Sequence, residues 1–262
     1  MKKKDTQKTS WDHVAGWYDQ IVSKEGHYYH KEVILPYLDE KIIKNLKTTD
    51  SVLDIACGQG ILERQLPKEV RYVGLDISKN LIQEAKKLSV SSKHEFKVQD
   101  ATTPFDFNEK FSTGFVVLAF QNLKDPKACL LNAAKHLKDH GTLVLVLNHP
   151  CYRIPRQSSW MEDPAKKLQY RRIDTYMSPL EIPISMQPSK GEKADTTFSY
   201  HHSLSSLSKL FVQTNFYIKE IEELISNKES SGRAAKMENR SRKEFPLFMV
   251  LVLEKIPQKL LA

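Results

Sequence analysis

Three carboxylates at regular steps could do chemistry together in this chain: Asp54, Asp76 and Asp100. Each ends a short apolar run, and the first run continues into a turn, Asp54-Ile55-Ala56-Cys57-Gly58-Gln59-Gly60. Gly58 and Gly60 take positive φ without a Cβ penalty, so the backbone there can close on a ligand. Asp54, placed before the turn, suits hydrogen bonds from a cationic amine. Asp76, about one βαβ step later, suits a pair of ribose hydroxyls, because charge-assisted bonds are about twice as strong as neutral ones. An Asp after a strand is often only a turn former or cap. Three in register at the carboxyl ends of successive strands, where open α/β sheets bind ligands, point instead to one ligand site.

The elements that must position them follow from periodicity. Arg71–Ile77 and Phe96–Ala101 read as the second and third strands, and Ile61, Leu62 and Leu66 predict a helix between the glycine turn and Pro67. Ser78 caps a helix whose Leu81, Ile82, Ala85 and Leu88 share a face. Gly114–Phe120 and Thr142–Leu147 are near-continuous apolar runs, as strands covered on both faces should be. Between them Asp125-Pro126 opens a helix expected to bury Leu130, Leu131, Ala134 and Leu137. A helix through Leu204, Leu207 and Phe211, a strand through Phe216 and Ile218, and a last strand Leu247–Leu253 close the chain. The fold class is α/β.

A dinucleotide site asks for glycine or alanine at the third position of G-x-G-x-x-G and holds a pyrophosphate, but Glu63 stands there. S-adenosylmethionine (SAM), with an ammonium and a sulfonium and no phosphate, fits the carboxylates better. The turn resembles motif I of the class I SAM-dependent methyltransferases, whose usual D-x-G-x-G-x-G appears here with Ala56 in place of the first glycine. Ala15-Gly16-Trp17-Tyr18-Asp19 is similar to the A-x-x-Y-D pattern that begins many methyltransferases related to ubiquinone and menaquinone synthesis. The resemblance implies a doubly wound, Rossmann-like, seven-stranded sheet. Its parts would be a helical lid over 1–45, a SAM-binding core over 46–148, a substrate-side insertion over 149–202 and the rest of the core sheet over 203–262. It implies SAM as cofactor, S-adenosylhomocysteine as product, and contacts from Asp54, Ala56, Cys57, Gly58, Gly60 and Phe120. Asp76 with Ile77 would clamp the ribose, Asp100 with Ala101 would meet the adenine amino group, and Tyr18 and Tyr29 are lid candidates.

For the acceptor, the segment Asn148–Trp160 gathers polar, basic and aromatic groups at the ligand end of the sheet. His149 is the candidate general base, with Tyr152 beside it, since an imidazole titrates near neutrality. The alternative is that His149 hydrogen-bonds locally in a proline-stiffened turn. Asn148-His149-Pro150-Cys151-Tyr152 looks loosely like the N-P-P-Y loop of base-directed methyltransferases, yet it follows the fifth strand rather than the fourth, which sets that reading aside. Pro155, Pro164, Pro179, Pro183 and Pro188 break 149–202 into short pieces, and Glu181–Met186 alternates as an edge strand would. Arg233, Lys236, Arg240, Arg242 and Lys243 form a basic stretch that is either a solvated loop or a clamp for an anionic acceptor.

The chain has 262 residues and a formal charge of +8, but acids are interleaved with the bases and four lysines lie in the first eight residues. That diffuse excess places a nucleic-acid partner behind a small-molecule acceptor. No apolar run approaches the eighteen residues of a membrane span, and the basic start lacks the apolar stretch of a secretory signal. Three cysteines give neither a disulfide framework nor metal-ligand spacing. The expectation is a cytoplasmic enzyme without a metal, moving a methyl group by direct displacement to an O, N or C nucleophile of a small molecule. An RNA or protein methyltransferase is the second reading, and a non-catalytic SAM-binding regulator the third.

Overall fold

Period-two alternation divides the apolar residues of the central strands between two faces, and that division builds the fold. The computed structural model describes residues 26–185 and 196–257. Tyr18, its Ala15–Asp19 pattern and Met186 lie outside the described residues. The first five strands are β1 (Ser51–Ile55), β2 (Arg71–Asp76), β3 (His94–Val98), β4 (Phe111–Val117) and β5 (Leu137–Asn148), paired parallel. Two hairpins follow, β6 (Ser158–Asp163) with β7 (Leu168–Ile173) and β8 (Leu180–Ser185) with β9 (Thr196–His201). The antiparallel pair β10 (Phe216–Leu224) and β11 (Phe248–Lys255) then completes one seven-stranded sheet in the order β10-β11-β5-β4-β1-β2-β3.

Leu53, Leu75, Leu145 and Leu251 face one side of this sheet, while their neighbours Val52, Tyr72, Val144 and Val250 face the other. Each such side chain contributes roughly 1.5–3 kcal/mol on full burial. The first side is covered by α3 (Pro126–His136) and α4 (Leu204–Gln213). The second is covered by α1 (Leu35–Lys41) and α2 (Lys79–Leu88). Caps set the helix starts: Ser78 Oγ accepts from the Leu81 N–H at 3.3 Å, and Asp125 Oδ1 from the Ala128 N–H at 2.9 Å. No helix among the described residues is long and apolar enough to cross a membrane. Strand order reverses between β1 and β4, so a crevice opens at their carboxyl ends, where Asp54 sits.

Three local expectations are corrected. Residues 61–66 form turns and a 3-10 piece, Glu63–Gln65, instead of an α-helix. Between the left-handed Gly60 and Pro67 there are too few residues to offset helix nucleation, and Glu63 is drawn inward. Leu131 is 46% exposed on the outer side of α3. The basic stretch is helical, α5 (Ala235–Glu244), rather than a loop. Its Arg242 pairs with Glu238 at 3.3 Å, one turn away, and so is already neutralised.

Candidate active site

Beyond β1 the chain turns through three left-handed residues, Ala56, Gly58 and Gly60, with φ of 59°, 56° and 74°. An L-residue is disfavoured there by about 1–2 kcal/mol, so Ala56 is held in place by its surroundings. The Cys57 N–H donates to Leu75 O at 2.8 Å, fastening the loop to β2, and the Gly60 N–H donates to Cys57 O at 3.0 Å. Gly74 on β2 makes room for this packing: a Cβ there would stand 2.7 Å from Tyr72 Oη and 2.9 Å from Cys57 Sγ.

The same loop orients Asp76. Its Oδ2 accepts from the Gly58 N–H at 2.9 Å and its Oδ1 from the Ser78 N–H at 2.8 Å. Both oxygens are therefore oriented by the main chain. Asp54 is 2% exposed and accepts from the Tyr72 hydroxyl at 2.9 Å. Burial pushes its carboxyl up to about 7, the Tyr72 bond opposes this, and the nearby Asp76 and Glu63 add to it. Burial, with Asp54 and Asp76 close by, also pushes the Cys57 thiol well up.

Behind the loop, Glu63 anchors a buried polar cluster rather than facing a ligand. Its Oε1 lies 2.6 Å from His94 Nδ1 and accepts from Ser89 Oγ at 2.8 Å and from the Val90 N–H at 3.0 Å. The His94 ring in turn lies 5.3 Å from that of Tyr72, between centroids, so the cluster supports the side chain that supports Asp54.

A cavity of about 910 Å³, counting its mouth, opens over this loop. Of the residues singled out in the sequence, Asp54, Ala56, Cys57, Gly58, Asp76 and Ile77 line it. They are joined by residues sequence reasoning did not assign: His30, Gln59, Leu118, Ala119 and Asn122. His30 opens a short π-helix, His30–Ile34, that runs directly into α1. Its Nδ1 is buried without a partner, and burial, then the neighbouring His27, pull its pKa down to about 4. A neutral imidazole thus faces the cavity. Leu118, at φ 53°, bends the chain out of β4 over the same space. The only sequence signal for His30 was its place in the His27-Tyr28-Tyr29-His30 run, and for Asn122 its position after the fourth strand.

The other expected site residues stand elsewhere. Gly60 packs under Phe96, and Asp100 Oδ1 closes an Asx turn, accepting from the Thr102 N–H at 2.8 Å and Oγ1 at 2.7 Å. Ala101 and Phe120 are buried in the core. Tyr29 packs edge-on against Phe248 at 5.6 Å, with its hydroxyl 3.3 Å from Ser226 Oγ. His149 Nε2 lies 2.6 Å from Glu223 Oε1, and its Nδ1 accepts from the Cys151 N–H at 3.1 Å. Neither nitrogen is left to take a substrate proton, which favours the local role over that of general base. Tyr152 stacks beside His149, ring centroids 4.8 Å apart, and against Phe245.

Residues 53–145 match a family model described as a methyltransferase domain. An uncharacterized methyltransferase of Schizosaccharomyces pombe is 34% identical over 68 residues, a match covering 25% of this chain and 26% of that relative. Among solved structures, a SAM-dependent methyltransferase from Mesorhizobium loti superposes with TM-score 0.61 at 17% identity, covering 80% of this chain and 94% of that one. The CcbJ methyltransferase from Streptomyces caelestis gives 0.62 at 14% identity, over 97% and 100%. The glycopeptide N-methyltransferase MtfA, solved with SAM, gives 0.51 at 15% identity, over 84% and 93%.

Proposed function

Because the chain carries a methyltransferase domain and the fold of the class I SAM-dependent methyltransferases, we propose that it transfers a methyl group from SAM to a small-molecule acceptor. The observation that carries this reading is Asp76: a carboxylate at the carboxyl end of β2, both oxygens oriented by backbone N–H groups, at the wall of a cavity it shares with Asp54. On this reading Asp76 accepts from the ribose hydroxyls, Asp54 receives the ammonium, and His30 offers its unpartnered Nδ1 to the amino-acid end. Tyr72 holds Asp54 in position through its hydroxyl.

SAM, when bound, supplies an activated methyl carbon that the acceptor's lone pair attacks in line, the C–S electron pair staying with sulfur. The protein's part is to hold the two reactants aligned in a dry site, which is worth up to about 7–11 kcal/mol. His149, with both ring nitrogens engaged, is not the group that takes the acceptor's proton on this reading. A small acceptor suits the hairpins β6–β7 and β8–β9, which stand in the insertion after β5.

The test is incubation with methyl-labelled SAM and a lysate separated into metabolites, protein and RNA, beside an Asp76→Ala control. Label confined to metabolites and absent from the control is the expected result. Label in RNA or protein would replace the small-molecule acceptor. SAM binding with no transfer to any fraction would make the protein a SAM-binding regulator.

A further inference from the structure

A second cavity adjoins the first. The turn between β4 and α3 serves both, with Leu118, Ala119 and Asn122 on the first and Phe120 and Gln121 on the second. The far wall of the second comes from Asn148 at the end of β5, from Arg153 in the segment after it, and from His201 at the end of β9.

Two of its lining residues carry a buried polar atom without a hydrogen-bond partner, Arg153 Nη1 and Gln121 Oε1. The Arg153 guanidinium lies 4.8 Å from the centre of the Phe248 ring, a cation–π contact that occupies its face and does not satisfy the buried in-plane Nη1. Burial pulls its pKa down; the Tyr29 phenol opposes this and a second cation, Arg171, adds to it, and neither neighbour is a carboxylate. Arg171 in turn is spent on Tyr152 O at 2.7 Å, Ser158 Oγ at 2.8 Å and the Trp160 ring, none of them anionic. Among the described residues no carboxylate pairs with either arginine. Burying an uncompensated guanidinium costs several kcal/mol, and the group best matched to its fork is a planar oxyanion.

Gln121 supplies the complement. Its Nε2 donates to Leu118 O at 2.9 Å, which fixes the amide orientation and leaves Oε1 as an acceptor. Left unmatched, that oxygen is costly to bury, and a ligand's donor would satisfy it.

We propose, resting on the methyltransferase reading above, that the second cavity binds the methyl acceptor, a small molecule whose oxyanion is held by Arg153 beside a hydroxyl or amino group that donates to Gln121 Oε1. The two cavities lie on either side of the turn between β4 and α3, with Leu118, Ala119 and Asn122 on one and Phe120 and Gln121 on the other. The oxyanion is a carboxylate or a phosphate ester, two sources of the same chemistry.

The test uses the full chain saturated with SAM and labelled with ¹⁵N-arginine. Acetate and inorganic phosphate are titrated in separately while the Nε–Hε signal of Arg153 is followed, assigned by its loss in Arg153→Lys. A saturable shift of Arg153, with Arg64 and the exposed Arg156 unmoved, is expected, and the anion that saturates at lower concentration identifies the oxyanion. Gln121→Glu, which sets a like charge in the cavity, should weaken that anion at least tenfold. An Arg153 signal that stays still, or that drifts linearly with Arg156, overturns the proposal, as does an unchanged affinity in Gln121→Glu. Failure of SAM to bind would overturn the cofactor reading instead, and the arginine titration is then read in the SAM-free protein.

Discussion

Replacing Asp54 by Asn separates what the site costs the fold from what it does for the ligand. In the folded chain, burial lifts this carboxyl to about 7 from an ordinary 3.8, a difference on the order of 4 kcal/mol between the two protonation states. The sign follows from proton linkage: between pH 4 and 7 the folded state holds more protons than the unfolded one. Stability of the SAM-free protein therefore falls as pH rises through that window and stays low above it. Asn keeps an oxygen to accept the Tyr72 hydroxyl and carries no charge, so Asp54→Asn should melt higher than the parent at pH 8, with the gap shrinking toward pH 5. Even a quarter of the full difference, about 1 kcal/mol, would raise Tm by roughly 2–4 °C.

Ligand affinity should move the other way. Binding needs Asp54 ionised and the SAM amine protonated. With a carboxyl at about 7 and an amine near 7.8, affinity peaks close to pH 7.4 and drops about sixfold by pH 6. In the Asn variant the acid limb disappears and binding at the optimum weakens by roughly 10- to 150-fold, the value of a hydrogen bond to a charged group. Calorimetric titration across pH 5.5–9 reads both effects. An Asn variant that melts lower at pH 8, or a parent whose affinity is flat from pH 7.4 to 6, would refute the reasoning.

Asp54 and Asp76 were legible in the sequence because strand, turn and strand-end acid are local features, and the sheet register then places them over one cavity. The caps Ser78 and Asp125 were legible for the same reason. What escaped the sequence is tertiary. Glu63 lies within the span predicted as a helix, but Ser89, Val90 and His94 converge on it from the far end of α2 and the start of β3, and the helix gives way. Asp100 carries the same strand-end signature as Asp76, yet two atoms of Thr102 take one of its oxygens. His30 and Arg153 become site candidates only because each is buried with a polar atom unmatched, a property no spacing encodes.

Two further substitutions probe the support of the site. Gly74→Ala puts a methyl group 2.7 Å from Tyr72 Oη and 2.9 Å from Cys57 Sγ, so it should destabilise the fold by about 1–3 kcal/mol in urea unfolding and weaken SAM binding by shifting Tyr72 off Asp54. The His149→Gln variant decides between a structural and a proton-accepting histidine. Burial holds the His149 pKa below its ordinary value against the opposing pull of Glu223, so the ring is neutral at pH 7. Its Nδ1 accepts from Cys151 N–H, which puts the proton on Nε2, facing Glu223. Such a ring fastens the segment after β5 to β10 and has no lone pair left for a substrate. Stability should fall by about 1–3 kcal/mol, the cost of leaving buried partners unmatched. Turnover of the labelled acceptor should stay within a fewfold, with no change in the acid limb of kcat against pH. A base in contact with substrate would behave differently, since its loss costs about 10²- to 10⁴-fold in kcat and removes that limb. A fall of that size in a folded, SAM-binding variant would return His149 to the chemistry and require the Glu223 contact to open when the acceptor arrives.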